Sequence, residues 1–219
     1  MSEQARQLVE RARAVVFDLD DTLVMTRVVK WAQHQAVAAR FYGITLTEVE
    51  LAAHWGKPFD ELISLLYRDS APLEEMRAAN LTLEPRYRKP VMDGARDVVD
   101  GLLDRGAHVG VVTSANTGPT LSDLDWVGFP TGRLRFVHGA DATAAHKPDP
   151  AVFDDAIRLL AAHGVGPAET VYVGDSIMDL HAARGAGLGF VGVTTGQVRG
   201  ARFAEEGACW VAGLAELVG

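Results

Sequence analysis

Short apolar runs alternate with longer helical patterns along most of the 219-residue chain. Each run is rich in β-branched or aromatic side chains and is bounded by turn residues, which is typical of a buried strand. The predicted strands are Val15–Asp18, His108–Thr113, Leu134–His138, Thr170–Gly174, Leu188–Val193 and Ala208–Val211. The predicted helices between them are Ala95–Arg105, Thr117–Val127, Pro150–His163 and Ile177–Gly185. This alternation predicts an α/β fold with a doubly wound parallel sheet that helices cover on both faces.

The alternation stops between residues 23 and 90, where no buried strand is predicted. The apolar spacing in this segment indicates helices that are separated by glycine and proline residues. These predicted helices are Arg27–Phe41, Leu46–Ala53, Phe59–Asp69 and Pro72–Arg88. We therefore predict an α/β core of residues 1–22 and 91–219, with an all-helical domain of residues 23–90 inserted into it.

Composition narrows the class of protein. With 48% hydrophobic and 23% charged residues, the chain is neither disordered nor a coiled coil. The net charge of −8 disfavours nucleic acid and anionic lipid as partners. No segment approaches the ~18 apolar residues of a membrane span, and Met1–Arg13 lacks the apolar region of a secretory signal. The lone Cys209 fits a reducing compartment, so we expect a cytoplasmic protein that binds neither nucleic acid nor membrane.

Carboxylates cluster directly after two of the predicted strands. Asp18, Asp20 and Asp21 follow the first, while Asp175 ends the fourth and Asp179 lies four residues further on. Ligands of open α/β sheets bind at the carboxyl ends of the strands. Clustered carboxylates repel one another unless a cation neutralises them, and oxygen-only ligands favour Mg²⁺ over zinc. Taken separately, the first group could be a solvated acidic turn and the second a helix cap.

Two further polar features lie in the loops that follow predicted strands, as the carboxylates do. Thr113-Ser114-Ala115-Asn116 follows a predicted strand, where a hydroxyl and a backbone N–H can hold a phosphate oxygen. Lys147 stands in a loop that Pro148 and Pro150 stiffen. An ordinary polar turn and an exposed lysine are the alternatives for these two features.

Four strand ends thus supply, in order, a pair of aspartates, a threonine, a lysine and a second pair of aspartates. This order resembles the haloacid dehalogenase superfamily of phosphohydrolases. Its pattern is Asp-x-Asp-x-Thr, a strand ending in Thr or Ser, a Lys, and Gly-Asp-x-x-x-Asp. The resemblance spans about residues 14–195 and implies a Rossmann-like core. Asp21 stands where the nearest relatives often have glycine, so a left-handed turn there is less assured.

The resemblance implies a role for each motif residue. Asp18 would be the nucleophile that forms an aspartyl phosphate, and Asp20 would be the general acid and base. The implied catalytic residues are Asp18, Asp20, Thr113 and Lys147. The implied Mg²⁺ site consists of Asp18, Asp20 (through its backbone carbonyl), Asp175 and Asp179. The implied phosphate-binding residues are Thr113, Ser114, Asn116 and Lys147.

The inserted helices resemble the cap domain of the phosphoglycolate-phosphatase-like branch. Such a cap closes over the site, excludes water and admits only small phosphorylated metabolites. The candidate substrate contacts in the insertion are Arg27, Lys30, His34 and Lys57. The alternative for Arg27 and Lys30, three residues apart on one predicted helix, is a solvated helix face.

The resemblance therefore implies a Mg²⁺-dependent phosphatase for a phosphoglycolate-like or sugar-phosphate monoester, as a monomer or homodimer. Asp20 favours a phosphatase over a dehalogenase, which needs no such acid. Three alternatives stay open. A sugar-phosphate mutase usually carries Glu where Gly174 stands, and a phosphonate hydrolase needs a cap lysine, for which Lys57 is a poor match. A non-catalytic binding protein would be expected to have lost part of the catalytic set, which is complete here.

Overall fold

The structure, a computed structural model, describes residues 2–217. The strands are β1 (Ala14–Phe17), β2 (His108–Val112), β3 (Phe136–His138), β4 (Thr170–Gly174), β5 (Gly189–Val193) and β6 (Cys209–Val211). The helices are α1 (Ser2–Arg11), α2 (Arg27–Tyr42), α3 (Glu48–His54), α4 (Phe59–Tyr67), α5 (Leu73–Leu83), α6 (Ala95–Asp104), α7 (Thr117–Trp126), α8 (Asp154–Ala161), α9 (Ile177–Gly185) and α10 (Gly200–Glu205). The chain divides into a helical unit, Thr26–Lys89, and an α/β unit formed by the residues before and after it.

The strands of the α/β unit form one parallel sheet in the order β3-β2-β1-β4-β5-β6. The central strand β1 pairs on both sides, with Val16 opposite Gly110 of β2 and opposite Tyr172 of β4. This order confirms the predicted doubly wound fold. The order of the strands reverses between β1 and β4, so a crevice opens at their carboxyl ends.

Both faces of the sheet are covered, as the apolar strands predict. Val15 and Phe17 of β1 pack in one apolar cluster, whereas Ala14 and Val16 pack in another. Successive side chains of a strand point to opposite faces, so a strand buried on both faces divides its residues between two cores. The rigid centre of the sheet thereby fixes where the chain leaves β1 and β4.

Two helices of the α/β unit were not predicted, and one differs from its prediction. α1 buries only Ala5 and Val9 along an otherwise polar sequence, and α10 has six residues, so both give a weak apolar signal. The predicted helix at Pro150–His163 begins as a 3₁₀ turn over Pro150–Phe153 before α8. Asp149 caps this turn by accepting from the N–H of Ala151 at 2.9 Å.

The helical unit consists of α2 to α5 around its own apolar core. The best-buried side chains in this core include Val37, Ile63, Leu66 and Tyr67. The last predicted helix is shorter than expected, because it ends at Leu83 and continues as a 3₁₀ turn. Within residues 2–217, none of the helices combines the length and the apolar character that a membrane crossing requires.

The boundary between the units follows the packing of the first linker. Val24 forms isolated bridges with Asp20 and Val91, and the N–H of Met25 donates to the carbonyl of Pro90 at 2.8 Å. Leu23 and Val24 are buried in the core of the α/β unit. The α/β unit consequently extends to Met25 and resumes at Pro90.

Candidate active site

Three carboxylates converge at the crevice of the α/β unit. Asp18 directly follows β1 and Asp175 directly follows β4, and these strands are neighbours in the sheet. Asp179 lies in the first turn of α9. Each of the three residues offers a carboxylate oxygen, and these oxygens lie within 4.8 Å of one another. The topology thus brings residues that are far apart in sequence to one point.

Lys147 is enclosed by this acidic cluster. Its Nζ donates to Asp18 Oδ1 at 2.7 Å and to Tyr172 Oη at 2.6 Å, and it lies 2.7 Å from Asp179 Oδ1. The side chain is only 6% exposed, which excludes the exposed-lysine alternative. Burial alone would lower the pKa of Lys147, but the carboxylates of Asp179 and Asp18 outweigh it and raise this pKa well above its usual value. The ammonium therefore keeps its charge.

One ammonium lies beside three carboxylates, and the pKa values of two of these carboxylates are raised. Burial raises the pKa of Asp18, and Asp179 and Asp20 raise it further, against the opposing effect of Lys147. Burial also raises the pKa of Asp175, with added repulsion from Asp18 and Asp179. A set of carboxylate oxygens with unbalanced negative charge is the donor set that a hard divalent cation such as Mg²⁺ prefers. The residues present therefore fit Mg²⁺.

Asp179 is also a helix-capping residue. Its Oδ2 accepts from the backbone N–H of Ser176 at 3.0 Å and from Ser176 Oγ at 2.6 Å, and Ser176 Oγ accepts from the Asp179 N–H. This capping box fixes the start of α9, so the cap alternative from the sequence is correct as far as it goes. The other carboxylate oxygen, Oδ1, is the one that meets Lys147.

Two glycines leave room for the clustered carboxylates. A Cβ at Gly174 would lie 2.7 Å from Cγ of Asp179, and a Cβ at Gly196 would lie 2.7 Å from Cγ of Asp175. Contacts this short do not occur between real side chains, so any other residue at either position would displace a carboxylate. Close packing against glycine backbone therefore helps to hold the cluster in place.

The turn after β1 is tightly built. The carbonyl of Leu19 accepts from the N–H groups of Thr22, Leu23 and Val24. Asp21 has a φ of 56°, so the left-handed turn forms although the residue is an aspartate. The three-carboxylate cluster found among residues 2–217 does not include Asp20, but its charge raises the pKa of Asp18. The roles of Asp20 as acid and as carbonyl ligand stay predictions.

The predicted phosphate-binding residues divide into two groups. Thr113, Ser114 and Lys147 line one small cleft at the end of β2. Asn116 is exposed and makes no capping hydrogen bond at the start of α7. Asp141 occupies that helix end instead, since its Oδ1 accepts from the N–H of Thr117 at 2.8 Å. A carboxylate at this end of α7 disfavours a second anion there.

The candidate substrate contacts of the helical unit all have partners within that unit. His34 is buried, with its Nδ1 2.7 Å from Tyr67 Oη. The other three have charged or aromatic partners. Arg27 lies 5.1 Å from the ring centroid of Trp31, Lys30 Nζ is 3.3 Å from Glu84 Oε1, and Lys57 pairs with Glu61. Their roles toward substrate stay predictions.

The sequence analysis missed Tyr172. It lies in the middle of β4 and is fully buried, and its hydroxyl donates to the carbonyl of Val112 at 2.7 Å. Burial raises its pKa well above the usual value, so the hydroxyl keeps its proton. The available signal was a tyrosine within a fully buried strand, because a buried hydroxyl needs a polar partner. The apolar pattern of the strand by itself predicts only a core residue at this position.

Comparison with known proteins gives consistent results. A family model described as haloacid dehalogenase-like hydrolase matches residues 15–193. A phosphoglycolate phosphatase of Cereibacter sphaeroides is 30% identical over 191 residues, which cover 83% of this chain and 85% of that protein. A protein of Clostridium perfringens named "Putative pyrophosphatase PpaX" is 28% identical over 185 residues, 83% of either chain. A solved structure from Thermotoga maritima, described as "putative beta-phosphoglucomutase", has a TM-score of 0.81 at 23% identity and covers 94% of this chain and 96% of that one.

These similarities differ in what they establish. The structural similarity is at 23% identity and shows the fold alone. The family model matches most of the chain, including all three carboxylates of the cluster and Lys147. This chain therefore belongs to the haloacid dehalogenase-like hydrolase family.

Proposed function

We propose that this protein is a Mg²⁺-dependent phosphatase that hydrolyses a small phosphate monoester through an aspartyl phosphate on Asp18. The observation that carries the proposal is the Lys147 ammonium between Asp18 and Asp179, with Asp175 in the same carboxylate cluster. A phosphoglycolate phosphatase that is 30% identical over most of both chains supports the reaction class.

In the proposed first step, a carboxylate oxygen of Asp18 attacks phosphorus, and the bond from phosphorus to the ester oxygen breaks. Asp20 donates a proton to the departing alcohol. Lys147 already contacts Asp18 and would neutralise charge on the transferring phosphoryl group, while Thr113 would donate to one of its oxygens.

In the proposed second step, water attacks the phosphorus of the aspartyl phosphate and gives a proton to Asp20. The bond from phosphorus to Asp18 breaks, and inorganic phosphate leaves. Splitting the hydrolysis in this way replaces one difficult displacement by two easier ones. Asp18, Asp175, Asp179 and the backbone carbonyl of Asp20 would hold Mg²⁺. When bound, Mg²⁺ supplies positive charge that offsets repulsion between the carboxylate and the phosphate.

The substrate class that we propose is a phosphoglycolate-like or sugar-phosphate monoester. The packing around Gly174 favours a phosphatase over a mutase, because the glutamate of the mutase pattern would meet Asp179 there. We also propose that the helical unit selects the substrate, with Arg27, Lys30, His34 and Lys57 as candidate contacts.

The experiment is a release assay for inorganic phosphate with Mg²⁺ against a panel of substrates. The panel contains 2-phosphoglycolate, hexose phosphates, nucleotides and pyrophosphate, and each is tested with and without EDTA. We expect Mg²⁺-dependent release from a small monoester, with preference for one class. A wild-type protein that is inactive on the whole panel, or activity that is indifferent to EDTA, would contradict the proposal.

A further inference from the structure

We propose that Tyr172 is a positioning residue, whose hydroxyl fixes the Lys147 ammonium between Asp18 and the end of β2. This inference rests on the proposed function, since that function makes Asp18 and Lys147 the reacting groups. The hydroxyl of Tyr172 bonds to Lys147 and to the carbonyl of Val112, and we infer that it acts on the reaction through Lys147.

The direction of both hydrogen bonds of Tyr172 is fixed by chemistry. The ammonium of Lys147 can only donate, so Tyr172 Oη accepts from it at 2.6 Å. The single hydroxyl proton then goes to the carbonyl of Val112 at 2.7 Å. Asp179 Oδ1 lies 3.5 Å from the same hydroxyl and is a much poorer acceptor at that distance. The hydroxyl therefore accepts a hydrogen bond from Lys147 and donates one to the backbone of β2.

The ammonium of Lys147 has three protons and three close acceptors. Two acceptors are the carboxylates of Asp18 and Asp179, and the third is the neutral hydroxyl of Tyr172. A lysine carries its charge on a flexible four-carbon stem and can pivot between carboxylates. Three contacts in different directions remove that freedom, so the third contact determines the orientation in which Lys147 meets Asp18.

The hydroxyl also connects Lys147 to β2, the strand that directly precedes Thr113. Val112 is the last residue of β2 and directly precedes Thr113. β2 and β4 lie on opposite sides of β1, so Tyr172 reaches across the strand that leads to Asp18. The ring cannot move easily, because it is fully buried and packs edge-on against Phe153 with centroids 4.8 Å apart. The buried ring therefore holds the hydroxyl at a fixed position, and the hydroxyl limits where the flexible side chain of Lys147 can place its ammonium.

The test compares Tyr172→Phe with Thr170→Val. The first substitution removes only the hydroxyl and keeps the ring. Thr170 is a matched control on the same strand, because it is also buried and its hydroxyl donates to a carbonyl, that of Gly166, at 3.0 Å. Each variant leaves one carbonyl without its hydroxyl donor, and Tyr172→Phe also loses the bond from Lys147, so its melting temperature should fall somewhat further than that of Thr170→Val.

We expect the kcat of Tyr172→Phe to fall about 10- to 100-fold, since a hydrogen bond to a charged group at the reaction centre is lost. The loss should fall mainly on kcat, because the lost bond orients Lys147 against the nucleophile; KM should rise by a smaller factor, since Lys147 is also a predicted phosphate-binding residue. The kcat of Thr170→Val should stay near the wild-type value. In a crystal structure of Tyr172→Phe, the Lys147 ammonium should leave hydrogen-bonding distance of Asp18 or Asp179.

Two results would overturn the inference. One is a kcat of Tyr172→Phe that matches that of Thr170→Val. The other is a lower kcat with Lys147 still bound to both carboxylates, because the hydroxyl would then not act through Lys147. If the wild-type protein hydrolyses no substrate of the panel, the proposed function fails, and the crystal structure alone decides whether Tyr172 positions Lys147.

Discussion

Each unit of the protein contains a buried polar cluster that is organised around a tyrosine hydroxyl. In the α/β unit, Tyr172 accepts from Lys147 and donates to a backbone carbonyl. In the helical unit, Tyr67 donates to Asn80 Oδ1 at 2.9 Å and lies 2.7 Å from His34 Nδ1. Because Tyr67 has already donated its proton, Nδ1 of His34 must be the donor to Tyr67.

The two clusters differ in charge. The cluster of the helical unit joins an imidazole, a phenol and an amide, and burial together with Lys30 lowers the pKa of His34 to about 4, so the imidazole is neutral. The amide nitrogen of Asn80 is satisfied by the carbonyl of Met76 at 2.9 Å. In the α/β unit, three carboxylates surround one ammonium, and the pKa values of Asp18 and Asp175 are raised.

This difference in charge distinguishes buried polar groups that stabilise the fold from buried polar groups that bind a ligand or react. Neutral groups that are paired one to one cost little when buried and specify how helices pack. Crowded like charges destabilise the fold, and they are characteristic of sites that bind a cation or carry out chemistry. We therefore interpret Tyr67 and Asn80 as part of the scaffold and the Lys147 cluster as the proposed reaction centre.

The largest effect is expected for Asp18→Asn. The amide can still accept from Lys147 but cannot attack phosphorus, so kcat should fall at least about a thousandfold. The substitution also removes one of three crowded carboxylates, so the melting temperature should hold or rise. Steady-state kinetics and thermal unfolding of one preparation measure the kcat and the melting temperature of this variant. Retained turnover would remove Asp18 from its proposed role, and a large loss of stability would contradict the crowding argument.

The next effect is a pH dependence that belongs to the helical unit. The pKa of His34 is about 4 in the folded protein and ordinarily 6.5, so between these values the unfolded chain binds a proton that the folded chain does not. The free energy of unfolding should therefore fall by about 3 kcal/mol as pH drops through this window, and His34 should contribute no slope above it.

Denaturant unfolding of the wild-type protein and of His34→Asn across this pH range checks the prediction. The asparagine amide can replace Nδ1–H as the donor to Tyr67 but does not titrate. The difference in slope between the two proteins isolates His34. Equal slopes would show that the imidazole is not held neutral by the fold.

Binding of Mg²⁺ should stabilise the α/β unit by a smaller amount. A ligand at a hundred times its Kd adds about 2.7 kcal/mol of stability, which corresponds to a rise of about 5–11 °C in melting temperature for a protein of this size. Asp175→Asn should abolish the rise, whereas Tyr67→Phe in the other cluster should keep it. A rise that survives in Asp175→Asn would place the cation elsewhere.

The smallest effect is expected for Tyr67→Phe, the counterpart of Tyr172→Phe in the helical unit. Loss of the two buried neutral hydrogen bonds of this hydroxyl, to Asn80 and from His34, should cost about 1–3 kcal/mol of unfolding free energy. The kcat should stay near that of the wild-type protein, because no charged group loses its partner. Urea unfolding and steady-state kinetics of Tyr67→Phe and Tyr172→Phe check this prediction. An equal loss of kcat in the two variants would contradict the distinction between the two clusters.

The sequence predicted the sheet more fully than it predicted the surroundings of the site. β4 and α9 have the predicted bounds, because apolar runs and helix caps are local signals. The acids could be assigned to one edge of the sheet, because Asp18 and Asp175 directly follow parallel strands. Such inferences need only the chain direction and the order of the elements.

Contacts that depend on tertiary packing could not be predicted. Nothing in the residues around Lys147 shows that its side chain is 6% exposed, because elements distant in sequence enclose it. Tyr172 fits the apolar pattern of β4, and only the fold reveals the partners of its hydroxyl. His34 is likewise a helical residue whose hydrogen-bond partner, Tyr67, does not follow from its neighbours in sequence.

The most direct measurement is chemical trapping of the phosphorylated enzyme during turnover. The protein is mixed with Mg²⁺ and its best monoester substrate, quenched and reduced with borohydride, and the tryptic peptide of residues 14–27 is sequenced by mass spectrometry. We predict that Asp18 is converted to homoserine in the wild-type protein, and that residue 18 is unmodified in Asp18→Asn. Product formation at the full rate with Asp18 unmodified, or with the label on another residue, would contradict the account.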